Sequence, residues 1–209
     1  MTSEHNPPIT RQEALSALEE IDRVRDHVRR TLAGGAMAPM LVLWGVIWLV
    51  GFAFEQFIPN AYRLWVVIDL IGIACSFYLG AFSRNAPVKG SGGARIGVSW
   101  LILFGYATLW SVLLYQSATA SGPGWTAYGP MLERKMALLW VSVCMFAYVI
   151  MGLWLDRFLL WLGALVTAAT LVGYLFEQRY FFLWVAAAGG GSLIVSGLFI
   201  RKFWKTAHA

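Results

Sequence analysis

Six stretches of about twenty consecutive apolar residues, at 36–57, 63–82, 95–116, 136–155, 157–176 and 180–200, leave this chain few choices of fold. A helix rises ~1.5 Å per residue, so about twenty residues cover the ~30 Å of hydrocarbon in a bilayer. In lipid only helices and closed barrels satisfy every backbone N–H and C=O. The runs are continuous rather than alternating in polarity, which selects helices. The sequence therefore predicts an all-α integral membrane protein with six transmembrane helices. Pro39 fits the first turn of the first span, where its missing N–H is not needed.

Charge placement sets the orientation. Only 13% of residues are charged while 59% are apolar, against roughly a quarter charged in a soluble domain. Of the 16 Lys and Arg residues, Arg63, Arg134, Lys135 and Arg179 fall on one side of the spans and all the others on the opposite side. The positive-inside rule then predicts a multi-pass protein of the cell inner membrane with both termini cytoplasmic. The net charge of +5 reads as topology, not as a nucleic-acid footprint, and no nucleic-acid partner is expected. Residues 1–35 lack the apolar core of a cleavable signal peptide, so 36–57 is expected to stay as an anchor.

A repeat is visible across the spans. Leu64-Trp65-Val66, Leu139-Trp140-Val141 and Leu183-Trp184-Val185 open the second helix of three successive hairpins, 36–82, 95–155 and 157–200, within a membrane domain covering 36–201. Each first helix ends in a similar triplet: Phe54-Glu55-Gln56, Leu114-Tyr115-Gln116 and Phe176-Glu177-Gln178. Gly51, Ser111 and Gly173 stand three residues earlier, and Gly45, Gly105 and Thr167 nine residues earlier. Small residues let helices approach closely in lipid. Three like-oriented copies imply a pseudo-threefold axis along the membrane normal. Glu55, Tyr115 and Glu177 would then meet near the outer mouth, and Arg84, Arg157 and Arg201 near the inner one. A compositional account competes with this one, because Trp favours the interface and Arg the inner end in any such protein. The long 117–133 stretch between the third and fourth spans, with its Ser, Gly and Pro, reads as an outer loop.

Ahead of the spans, residues 10–33 form an amphipathic cytoplasmic helix followed by a Gly34-Gly35 hinge. Thr10 and Glu13 have capping-box spacing. Ala14, Leu18, Ile21, Val28 and Leu32 recur at helical steps, opposite Glu19, Glu20, Arg23, Asp26, Arg29 and Arg30. Three placements are open. The helix lies on the membrane surface, packs on its own bundle or a sister copy in a homo-oligomer, or offers Leu18, Ile21 and Val28 to a cytoplasmic protein. Residues 202–209 form a cytoplasmic tail.

Asp69 is the sharpest candidate for chemistry, about six residues inside the second span. A carboxylate there is costly unless paired, protonated or hydrated. It is either a proton or cation site or a hydrogen-bonded fastener between helices. Glu55 and Glu177 sit at span ends, near Arg63 and Arg179 in sequence; together they would make an acidic mouth favouring cations. Trp48 and Trp110 lie deep enough to offer ring faces to an organic cation. Gly189-Gly190-Gly191 interrupts the sixth span, as a substrate site or as a close helix contact; Gly72, Ser76 and Gly80 favour packing on the second.

The histidines, His5, His27 and His208, are all in the tails, so no haem, metal or other cofactor is expected. Cys75 and Cys144 read as small buried apolar groups. No convincing nucleophile and base pair is present, so an enzyme is open but not favoured, with Asp69 as its only obvious acid. Two functions lead: a transport or channel-like protein for a proton, cation or small organic solute, with Asp69, Glu55, Glu177, Tyr115, Trp48 and Trp110 as site candidates, or a membrane sensor or scaffold acting through the N-terminal helix.

Overall fold

The computed structural model of the chain describes residues 10–34, 37–58, 61–82, 91–120, 125–154, 156–177 and 179–204. Among these the chain is all-helical. A first helix, α1, runs over Arg11–Gly34, followed by α2 (Met37–Phe57), α3 (Tyr62–Phe82), α4 (Ser91–Ala120), α5 (Trp125–Trp154) and α6 (Arg157–Phe176). The last, α7, is continuous but changes gait. It is α-helical over Phe181–Val185, π-helical over Ala186–Gly191, α-helical over Ser192–Phe199 and π-helical over Ile200–Trp204.

Among the described residues, five helices hold an apolar stretch long enough to cross a membrane: Met37–Phe57 in α2, Gly97–Ser117 in α4, Met131–Leu153 in α5, Arg157–Phe176 in α6 and Phe181–Lys202 in α7. The 21-residue α3, which carries Asp69, is not among the five. Pro39 lies in the first turn of α2, as anticipated.

The stretch read as a long outer loop is largely helix. Both α4 and α5 run for 30 residues, about 45 Å at ~1.5 Å per residue, and only 121–124 lie outside the described residues between them. Polar residues do not break α4, because their hydroxyls bond back to its own carbonyls: Thr108 to Phe104, Ser111 to Ala107 and Ser117 to Leu114, each at 2.8 Å.

The dominant helix contacts cut across the three expected hairpins. α2 lies most extensively along α7, and α5 along α6, whereas α4 meets its hairpin partner α5 lightly. Glycine explains both close pairs. A Cβ on Gly45 would fall 2.7 Å from the Gly190 carbonyl oxygen, and one on Gly190 would fall 2.7 Å from the Gly45 carbonyl oxygen. Gly197 stands equally close to the Ala38 carbonyl. Thus the backbones of α2 and α7 touch without intervening side chains, the geometry that dispersion requires of helix pairs in lipid. The glycine run in α7 therefore serves close packing, and the π-helical turn coincides with it. In the other pair, Gly152 rests against Leu160, and a Cβ on Gly163 would fall 2.6 Å from the Met145 carbonyl. Asp156 caps α6 by accepting from the Phe158 N–H at 2.8 Å, so α6 starts abruptly after α5.

Trp48 and Phe52 of α2, Val141 and Met145 of α5, Leu162 and Val166 of α6, and Val185 and Leu193 of α7 fill the core. α3 and α4 flank it. Only 6% of the spanning window of α4 is buried, against 39% for α2 and 44% for α7, so α4 is the least anchored span. α1 touches the neighbourhood of α2 and the end of α7. Its start is a reciprocal capping box: the Thr10 N–H donates to Glu13 Oε2 at 2.8 Å, and the Glu13 N–H donates to Thr10 Oγ1 at 3.3 Å.

Candidate cation site

Helical spacing brings four sets of side chains together beside the core. On α3, Asp69, Gly72 and Ser76 stand three and four residues apart and share one face. The Trp44 ring of α2 lies over Gly72, and its indole N–H donates to Ser76 Oγ at 3.1 Å. On α5, Trp140, Cys144 and Tyr148 follow at intervals of four. On α4, Trp100 and Phe104 do the same.

Rings join the three walls. Phe104 stacks on Trp44 at 6.3 Å between centroids and on Trp140 at 6.0 Å. Trp100 meets Phe104 at 5.6 Å and stands edge-on to Tyr148 at 5.8 Å. These separations lie in the favourable range for aromatic pairs. Asp69 is within electrostatic reach of the Cys144 thiol of α5. Cys144 is buried, while Asp69 and the five aromatic residues are only half-buried. Among the described residues, no hydrogen bond or ion pair reaches the Asp69 carboxylate. Among the described residues, Asp69 is thus a carboxylate without a counter-charge, within electrostatic reach of the residue that stands between Trp140 and Tyr148 on α5.

Toward the other end of α3 lies a second polar group. Glu55, near the end of α2, accepts from the Trp65 indole N–H at 2.8 Å. Glu133 of α5, half-buried, is within electrostatic reach of Glu55. Gln56 donates to the Arg179 carbonyl at 3.0 Å and ties the end of α2 to the α6–α7 link.

The other expected members have surroundings of their own. Glu177 caps the end of α6 and accepts from the Tyr180 N–H at 3.0 Å. Arg179 lies over the Tyr180 ring, 5.1 Å from its centroid, and makes no ion pair with Glu177. Tyr115 is exposed on α4. Trp48 is 7% exposed and packs edge-on to Phe52 and over Gly189, so it fills the core rather than lining a cleft. Trp110 is exposed and touches Tyr106 of its own helix. Arg157 and Arg201 are exposed, and Arg84 lies outside the described residues. On α1, Leu18 and Ile21 are exposed, and the side chain of Val28 lies outside the described set.

Sequence reasoning overlooked Glu133, Phe104 and Tyr148. The Trp100–Phe104 and Trp140–Cys144–Tyr148 spacings were the available signal; what they face depends on how α4 and α5 are turned, which periodicity does not encode.

An apolar groove of about 530 Å³ between α6 and α7 offers only Ser192 and Ser196 as hydroxyls and no charged group, so the Asp69 cluster is the stronger candidate for ion chemistry. Comparisons with protein-family models, curated proteins and solved structures find no match to this chain.

Proposed function

We propose that the chain is a six-span protein of the cell inner membrane, with both termini cytoplasmic, that transports or conducts a proton, cation or small organic solute through Asp69. One observation carries this reading: a carboxylate in an apolar helix, within electrostatic reach of Cys144 and with no counter-charge among the described residues. Such a group is held neutral by a proton or neutralised by a bound cation. Glu55 and Glu133 form an acidic entrance that attracts positive charge.

The same proposal takes α3 as a sixth span. Its 21 residues have the length to cross, at about 30 Å. The Arg and Lys asymmetry supports the orientation. Lipid would cover the exposed apolar faces of α3 and α4. The repeat is supported in its first and third copies, where Trp65 covers Gly51 and Trp184 covers Gly173. The middle copy departs from this: Trp140 stacks on Phe104 instead.

The test is reconstitution of the full chain in liposomes with measurement of proton and cation flux. Flux should be lost in Asp69→Asn; an unaltered rate in that variant would refute the role of Asp69.

A second reading, a sensor or scaffold with a cytoplasmic protein partner, is favoured by one feature. Leu15, Leu18 and Ile21 of α1 are 53–61% exposed along one stripe. Deleting residues 1–33 separates the two, because a transporter keeps its flux without them.

A further inference from the structure

We infer that the Asp69 cluster seats a monovalent organic cation of the quaternary ammonium or phosphonium class, and that Phe104 fills part of this seat while it is empty. The inference rests on the transport reading and deepens it by naming the substrate class.

Oxygen supply argues against an inorganic ion. A hard cation such as calcium takes about six to eight oxygen ligands. The cluster offers the Asp69 carboxylate and the Ser76 and Tyr148 hydroxyls as side-chain oxygens, and the helix carbonyls around it are committed to their own ladders. What the cluster has in quantity is ring face: Trp44, Trp100, Trp140 and Tyr148, contributed by three helices. Aromatic faces bind weakly hydrated cations best, within about 6 Å of the ring centroid, and desolvation strengthens the attraction. One carboxylate matches one positive charge.

Phe104 already occupies the key position. Its ring is nearly parallel to the indoles of Trp44 and Trp140, 27° and 28° off, at 6.3 and 6.0 Å. A cation taking the place of that ring lies about 6 Å from both indoles, and Trp140 stands one helical turn from Cys144, the residue within electrostatic reach of Asp69. Phe104 packs against the edge of the core, and it belongs to α4, the span with the smallest buried share and so the one held by the fewest buried side chains.

Equilibrium dialysis of the full chain in detergent with radiolabelled tetraphenylphosphonium, and with tetraethylammonium as competitor, tests this. The expected result is saturable binding that tetraethylammonium displaces and sodium does not. Asp69→Asn and Trp140→Leu should each weaken it about tenfold or more, the scale of losing a charge partner or a desolvated ring face. Phe104→Ala should tighten it several-fold, a gain that misfolding does not produce. Trp161→Ala, in the α6–α7 groove, should leave it unchanged. Absence of saturable binding, full displacement by sodium, or weaker binding in Phe104→Ala would overturn the inference. Asp69-dependent proton flux without phosphonium binding would overturn the substrate class and leave the transport reading standing. Binding without any flux would do the reverse.

Discussion

The indole of Trp65 performs two tasks at once: its N–H donates to Glu55 at 2.8 Å, and its ring closes over Gly51, where a Cβ would fall 2.6 Å from the ring carbons. Trp184 repeats the arrangement in the third hairpin, donating to the Ala169 carbonyl at 2.7 Å while covering Gly173. Both indoles would have to leave their seats to admit a methyl group. Gly51→Ala and Gly173→Ala should therefore each destabilise the protein by about 1–3 kcal/mol, as overpacking does. Gly105 has nothing within 4 Å of its would-be Cβ, so Gly105→Ala should instead stabilise by about 0.5–1 kcal/mol through helix preference alone. Thermal unfolding in detergent micelles reads the contrast; equal shifts in the three variants would refute it.

The reciprocal contact of Gly45 with Gly190 gives a sharper pair. Each glycine sits on the carbonyl of the other, so neither helix yields without the other moving. Gly190→Ala should cost about 1–3 kcal/mol or more. Gly191→Ala, one residue on, meets nothing within 4 Å and should be tolerated or gain up to about 1 kcal/mol. Adjacent glycines with opposite responses would show that contact, and not the softness of the glycine run, decides the matter. The measurement is again the unfolding midpoint of each purified variant.

Much of this architecture was legible in the sequence, for a physical reason. Hydrophobic length fixes where helices cross, so α2 and α6 fall within about a residue of their expected bounds. The pairing of Thr10 with Glu13 also followed from local chemistry, and of the two readings of the glycine run the close helix contact is the one that the approach of Gly190 to a carbonyl bears out. Helix pairing did not. Apolar runs have no polar face to report which side turns inward, so the α2–α7 and α5–α6 contacts were invisible, and the hairpins suggested other partners. The site divides in the same way. Asp69 announced itself by its cost in lipid, whereas Phe104 and Tyr148 gained significance only from the helices they face. Trp48 and Trp110 looked equivalent on the sequence, yet one is core and the other is exposed.

Asp69 should also weigh against stability. A desolvated polar group with no partner costs about 1–3 kcal/mol by the measure of protein substitutions, and no partner reaches this carboxylate among the described residues. Asp69→Leu should accordingly raise the unfolding temperature while abolishing flux. A structural fastener would behave in the opposite way, since losing its hydrogen bonds lowers stability. A lower midpoint in Asp69→Leu would thus assign Asp69 to helix fastening.

The capping box of α1 gives a pH response outside the membrane. The Thr10 backbone N–H, and then its hydroxyl, donate to the Glu13 carboxylate and hold it below the ordinary value of 4.5. A carboxyl lowered in the folded state contributes fully above its ordinary value, and that contribution fades as pH falls through the lowered one. Amide hydrogen exchange over the first turn of α1 should therefore lose protection relative to the middle of the helix on acidification from about pH 6 to about pH 3, after correction for intrinsic exchange rates. Glu13→Gln removes the titration, so its first turn should show the same relative protection across that range. A wild-type first turn that keeps its relative protection in acid would mean that the box contributes nothing to the start of α1.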